Sequence, residues 1–242
     1  MQIILLMGSC GLNKNDNDYP LYLNEVEGKL ILEQQIRYCK SLNPSKIIFC
    51  IRKQDVEQFH TNFIIRQILP DAEIIEIMSQ TKGAVCTALL CSEYIDNDEE
   101  LVLQAVDDFI EDSGKKILEH FHKKNADAGV VSFNSVHPRY SFVKLNNVGE
   151  PVEFAEKRPI SNNALASFYY FKHGMDFVEC AKEVIRKDNC VNGNFFISQT
   201  LNEMLLRHKK MAIYKISSKE FHPLKTEKQF CQYIFESKKK RA

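Results

Sequence analysis

The sequence predicts an α/β fold: one domain built on a mainly parallel mixed sheet with helices on both faces. Three observations carry that expectation. Continuous apolar runs bounded by polar turns, as at residues 3–7 and 46–51, read as strands covered on both faces. Helical periodicity fills the stretches between such runs, giving the right-handed strand–helix–strand unit. The third is size, because a chain of 242 residues is long enough for one large domain that buries roughly three quarters of its unfolded surface.

The elements follow in order. Residues 3–7 form a first strand and 46–51 a second. Between them, residues 28–39 have helical spacing, with Leu30, Ile31, Gln34 and Tyr38 on one face. Residues 55–69 read as one further helix and 73–77 as a short strand. Residues 81–91 open on Gly83 and run through Ala84, Ala88, Leu89 and Leu90, a loop leading into a helix. A strand at 101–106 ends at Asp107 and Asp108; a helix at 115–123 and a strand at 128–133 follow. The second half turns to shorter strands at 140–145, 151–155 and 166–171, then helices at 175–187 and 196–207 and a last strand at 211–216. Lys238, Lys239, Lys240 and Arg241 read as a frayed, solvated tail. The two halves, 1–135 and 136–242, differ in character but lack a linker between them.

Composition narrows the function. Lysine plus arginine total 32 and aspartate plus glutamate total 32, which argues against a nucleic-acid partner, since that requires a basic surplus. No apolar run reaches the roughly 18 residues of a membrane span, so no membrane insertion is expected. The opening apolar residues read as a strand, not a signal peptide, which points to a cytoplasmic protein. The eight cysteines contain no C-x-x-C pair; they are expected as reduced, mostly structural thiols, with Cys10 the one placed near a site.

Ligands of open parallel sheets bind outside the carboxyl ends of the strands, and three segments meet there. In Met7-Gly8-Ser9-Cys10-Gly11, two glycines let backbone approach a ligand, although such a pair is often only a turn. Around Thr81 and Gly83, small residues and hydroxyls suit a phosphate or a nucleobase, or simply helix packing. Asp107 and Asp108 end a buried strand, where carboxylates are costly unless hydrated, paired or metal-bound. Successive strand side chains point to opposite sides, so Asp107 can hold Mg²⁺ while Asp108 faces solvent or substrate; a turn role is the alternative. A fourth segment, 153–159, presents Glu156 as an acceptor for sugar hydroxyls and Lys157 as a charge for phosphate, or an exposed ion pair. His120 and His122 sit on a charged helix and read as surface.

With these segments in this order, the chain resembles the sugar-phosphate nucleotidyltransferases, Rossmann-like enzymes of the glycosyltransferase-A type, and within them the bacterial capsule and lipopolysaccharide branch. The resemblance runs nearly end to end: Tyr19-Pro20, Glu27-Gly28-Lys29, Thr81-Lys82-Gly83, Asp107, His137-Pro138-Arg139-Tyr140-Ser141-Phe142, Ala155-Glu156-Lys157-Arg158-Pro159-Ile160-Ser161, Tyr169-Tyr170-Phe171, Val191-Asn192-Gly193 and Asn202-Glu203. The most specific stretch is 137–161.

The resemblance implies nucleotidyl transfer from a nucleoside triphosphate to a sugar 1-phosphate, releasing pyrophosphate, with both substrates as partners and Mg²⁺ as cofactor. It places Gly8, Ser9, Cys10, Gly11, Thr81 and Gly83 along the nucleotide, Mg²⁺ on Asp107, sugar hydroxyls on Glu156, the sugar phosphate on Lys157, and Asp108 and Asn192 on the substrate side. It leaves room for a homo-oligomer. The sequence departs from the pattern at several points. Lys14 alone offers a charge where the first loop usually carries arginine. Leu21 stands where a phosphate-binding lysine is expected. Asn194 replaces an acidic residue, and His222-Pro223-Leu224-Lys225-Thr226-Glu227 is a changed Gly-Thr-Pro segment. Two rival readings are a glycosyltransferase of the same fold, using Asp107 and Asp108 as its acidic pair, and a non-catalytic binder.

Overall fold

The computed structural model describes residues 1–8 and 19–239. The first strand is β1 (Gln2–Met7), followed by a one-turn 3-10 segment at Leu21–Leu23 and the small hairpin of β2 (Glu25–Val26) and β3 (Lys29–Leu30). Glu27 (φ 58°) and Gly28 (φ 73°) both take left-handed conformations, the two-residue turn whose twist suits paired strands. That hairpin occupies the start of the stretch expected to be helical, and α1 spans Ile31–Ser41. Its buried side chains are Ile31, Leu32, Gln35, Ile36 and Cys39, one residue on from the face expected, because the hairpin fixes where the helix starts.

Next come β4 (Lys46–Arg52), α2 (Lys53–Phe59), α3 (Thr61–Ile68) and β5 (Glu73–Ile77). The single helix expected over 55–69 is therefore two. His60 (φ 51°) is left-handed, caps α2 with its N–H on the Val56 carbonyl at 3.0 Å, and redirects the chain. The buried Thr61 hydroxyl donates to the Asp55 carbonyl at 2.9 Å and pins the break. Then follow α4 (Ala84–Leu89), α5 (Ser92–Ile95), β6 (Leu101–Ala105), β7 (Asp108–Ile110), α6 (Gly114–Lys123) and β8 (Ala128–Asn134). The remaining elements are β9 (Ser141–Leu145), β10 (Pro151–Glu156), β11 (Asn163–Phe171), α7 (Gly174–Arg186), α8 (Ile197–Leu206), β12 (Met211–Lys215), β13 (Phe221–Pro223) and α9 (Glu227–Lys239). Of the expected tail, Lys238 and Lys239 are solvated but close helix α9, whose Phe230, Tyr233 and Ile234 pack on the core, and Lys240 and Arg241 lie outside the described residues.

Among the described residues, the main sheet has nine strands. Strands β6, β1, β4 and β5 lie side by side and parallel. β11 adds antiparallel to β6 along Phe168–Phe171 and meets β9 at Ala164, while its other edge carries β8. β8 in turn carries β12 in parallel, and β10 pairs with β9. Alternation along β1 sends Ile3, Leu5 and Met7 into a core under α1 and α6, with Leu32, Ile36, Ile117 and Phe121. Ile4 points the other way, among Val85, Phe177 and Leu201 of α4, α7 and α8. Helices thus cover both faces, as expected, and each such fully buried aliphatic side chain contributes about 1.5–3 kcal/mol.

The chain runs outward from β1 through β4 to β5, then returns to β6 on β1's other side. The order reverses between β1 and β6, which opens a crevice at their carboxyl ends.

Candidate functional site

A cavity of about 690 Å³ occupies that crevice. Of the residues singled out from the sequence, Gly8, Thr81, Gly83, Asp107, Asp108, Glu156 and Lys157 all line it. Segments as distant in sequence as 8 and 157 therefore meet in one cleft. Ser9, Cys10, Gly11 and Lys14 lie outside the described residues. Asn192 is exposed on a tight turn (φ 51°) closed by the Val191–Asn194 bridge; Asn194, not Asn192, lines the cleft. Leu21 is only 6% exposed and packs with Tyr22 and Leu23 in the core, away from the cleft lining.

The acidic pair is held by backbone. Val106 N–H donates to the Leu6 carbonyl at 3.1 Å, carrying the β1–β6 pairing one residue further. Gln35, fully buried on α1, donates to the carbonyls of Val106 (3.1 Å) and Asp108 (3.0 Å) and accepts from Gln104 at 3.0 Å. This buried amide satisfies carbonyls that the turn after β6 would otherwise leave bare, a loss worth about 1–3 kcal/mol each. The Asp108 side chain is 3% exposed and that of Asp107 12%. Asp108 Oδ2 accepts from the Ser167 hydroxyl and from Lys225 Nζ at 3.1 Å, while its buried Oδ1 has no hydrogen-bond partner.

Lys225 comes from the far end of the chain. β13 pairs with β7, with Pro223 opposite Asp108, and Leu224 N–H donates to the Asp107 carbonyl at 2.7 Å. That pairing carries Lys225 Nζ to 3.9 Å from Asp107 Oδ1 as well. Desolvation works against the ammonium, but the Asp107 and Asp108 carboxylates outweigh it and hold Lys225 charged well above the ordinary lysine range.

In the same cleft, Glu156 ends β10. Its Oε2 accepts from the hydroxyls of Ser141 and, at 2.8 Å, Ser198. Burial pushes its carboxyl up, and the two hydroxyls with Lys157 pull it partly back. Lys157 takes a left-handed conformation (φ 53°), donates its N–H to the Tyr140 carbonyl at 3.0 Å, and sets its ammonium 4.7 Å over the Phe196 ring. Arg139, Tyr140, Ser141, Ser167 and Tyr169 also line the cleft.

Also in the lining, Gly83 (φ 101°) precedes α4. A Cβ there would stand 2.4 Å from the Phe195 carbonyl oxygen and 2.8 Å from its nitrogen. Phe195 N–H donates to the Lys82 carbonyl at 2.8 Å, and Val85 N–H donates to the Phe195 carbonyl at 3.2 Å. Only glycine permits that clasp. Thr81 and Thr87 share a hydroxyl–hydroxyl bond of 2.7 Å beneath it.

Sequence reasoning missed Lys225 and Gln35, and left Arg139 and Ser141 without roles inside a motif already noted. Lys225 stands in the segment marked as a changed motif, so a signal existed. Gln35 carried none, being one more amide on a helix.

The chain shares the fold of sugar-nucleotide pyrophosphorylases. A nucleoside-diphosphate-sugar pyrophosphorylase from Vibrio cholerae RC9 superposes with a TM-score of 0.79 at 18% identity, covering 97% of this chain and 99% of that one. A UDP-glucose pyrophosphorylase solved with UDP-glucose also gives 0.79, at 13% identity, over 99% of this chain and 98% of that one. A protein from Bacillus anthracis assigned as a glucose-1-phosphate thymidylyltransferase, solved with sucrose, gives 0.72 at 16% identity over 96% and 92%. No protein-family model matches the chain, and no curated protein matches its sequence. The single α/β domain expected from the sequence is thus the architecture of these nucleotidyltransferases. No helix among the described residues is long and apolar enough to cross a membrane.

The same site bears on the expected Mg²⁺. Among the described residues no three acidic, histidine or cysteine side chains gather into a metal cluster. Mg²⁺, however, usually takes one or two carboxylates and fills its octahedron with phosphate oxygens and water. Asp107 at the cleft and the unpartnered Asp108 Oδ1 fit that requirement when a triphosphate supplies the rest.

Proposed function

We propose that the protein transfers a nucleotidyl group from a nucleoside triphosphate to a sugar 1-phosphate, or a similar phosphorylated small molecule, giving a nucleotide-activated sugar and pyrophosphate. One observation carries the reading: Asp107 and Asp108 line the same cleft as Glu156 and Lys157, at the β1–β6 switch point. A pure nucleotide binder has no need of a partly buried sugar-hydroxyl acceptor and a further phosphate cation in the same cleft. The 1–135 half supplies the nucleotide side and the 136–242 half the acceptor side. Consumption by surface polysaccharide synthesis, in the cytoplasm of a bacterium, is the physiological setting that the sequence resemblance supports.

The chemistry is in-line attack of the acceptor phosphate oxygen on the α-phosphorus, with the α–β bridging bond breaking and pyrophosphate leaving. It requires no covalent intermediate, so the protein's work is positioning and charge neutralisation. Gly83 and its clasp on Phe195 shape the nucleotide end. Glu156, fixed by Ser141 and Ser198, accepts hydrogen bonds from sugar hydroxyls and sets the acceptor's orientation. Lys157, and Arg139 at the rim, neutralise the acceptor phosphate as it nears the triphosphate. Mg²⁺ held by Asp107 would supply charge neutralisation on the triphosphate.

The test is turnover. Each of the four nucleoside triphosphates, with Mg²⁺ and a panel of sugar 1-phosphates, is assayed for pyrophosphate. Release that requires both one triphosphate and one acceptor is the expected result. Release of a nucleoside diphosphate from a nucleotide sugar instead would support a glycosyltransferase, and nucleotide binding without turnover a binder.

A further inference from the structure

The least expected contact in the cleft is the ammonium of Lys225 at the acidic pair. It lies 3.1 Å from Asp108 Oδ2 and 3.9 Å from Asp107 Oδ1. Its placement is built in: the β13–β7 pairing and the 2.7 Å bond from Leu224 N–H to the Asp107 carbonyl set the backbone beside the two acids. Its side chain remains 45% exposed, so the head group can swing from the acids while the backbone stays put. A cation tethered to Asp107 Oδ1 and Asp108 Oδ2 neutralises the two carboxylates whose charge a divalent ion needs.

We propose that Lys225 is a resident counter-ion of the Asp107–Asp108 pair and competes with a divalent cation for it, so that metal binds well only when nucleotide phosphates draw the ammonium away. Metal affinity for the nucleotide-free protein is reduced by the fraction of time the pair is open. Polyphosphate offers Lys225 a second anionic partner in the same cleft, which frees the carboxylates as the metal's phosphate ligands arrive. Metal and nucleotide then favour one another's binding, a reciprocal coupling. The identity of the phosphates rests on the function proposed above; the competition rests only on the Lys225 contacts.

The experiment is Mn²⁺ titration of the full chain without nucleotide, followed by electron paramagnetic resonance of the free ion, so turnover is not the readout. Lys225→Gln and Lys225→Met, each checked for native circular dichroism, should bind Mn²⁺ at least about tenfold more tightly than wild type. Lys225→Arg, which keeps the charge, should stay near wild type. Folded neutral variants that bind Mn²⁺ no better than wild type overturn the proposal, whether or not the protein makes a nucleotide sugar. Should neither neutral variant fold, Lys225→Ala takes their place, and wild-type half-saturation below about 1 mM overturns the competition in any case.

Discussion

Glu156 and Lys157 are neighbours in sequence with separate duties, because the left-handed turn at Lys157 sends the chain out of β10 immediately after Glu156. Lys157→Ala should weaken sugar-phosphate binding by about tenfold, the roughly 1.4 kcal/mol of one charge-assisted contact. Triphosphate binding should change little, as calorimetry with each ligand would read. Equal loss of both would contradict that division of contacts. Glu156 also carries a pH signature. Burial raises its carboxyl above the ordinary glutamate range, against the pull of Ser141 and Ser198. Between that ordinary range and its raised value, the folded protein holds a proton that the unfolded chain has lost. Stability therefore falls as pH rises through this window. Acceptor binding runs the other way, because sugar hydroxyls need the ionised acceptor. Melting curves and acceptor titrations over a pH series should show opposite slopes in wild type, and Glu156→Gln should flatten both.

At the scale of elements, two features decide what the loops around the sheet can do. Gly83→Ala would drive a Cβ to 2.4 Å from the Phe195 carbonyl oxygen at a φ of 101°. Strain of this kind costs about 1–3 kcal/mol, so the clasp should open, with a lower melting temperature and weaker nucleotide binding. The 3-10 turn at Leu21–Leu23 contributes differently. Its three side chains are all buried, so Leu21 is a core residue rather than an empty phosphate contact. Leu21→Lys should destabilise by about 2–4 kcal/mol in chemical denaturation, the cost of forcing a charge into apolar packing. A rise in turnover, as a phosphate-contact position at Leu21 would give, would contradict this placement. Strands and most helices were legible because apolar runs and helical spacing are strong local signals. The break at His60, the Glu27–Gly28 hairpin and α9 were not. Each depends on a left-handed residue or a tertiary contact that periodicity does not encode.

The whole molecule places its chemistry by topology. Reversal of strand order between β1 and β6 brings residues 8, 83 and 107 together, and the antiparallel half around β11 folds 156 and 157 over them. That convergence was readable from the sequence, since strand ends in a parallel sheet share one edge and the motifs fell at those ends. Lys225 was not, because its arrival requires β13 to pair with β7 across nearly half the chain. The central claim is that this one cleft joins a nucleotidyl group to a sugar phosphate. Phosphorus NMR of the reaction tests it most directly, using the triphosphate and acceptor that release pyrophosphate and comparing wild type with folded Asp107→Ala. The account predicts that α-phosphorus signal moves into a sugar-linked diphosphate as pyrophosphate appears in equal amount. The Asp107→Ala protein should be slower by about a hundredfold or more, corresponding to at least about 2.7 kcal/mol of barrier. Formation of nucleoside diphosphate with no new diester, or full activity in Asp107→Ala, would contradict it.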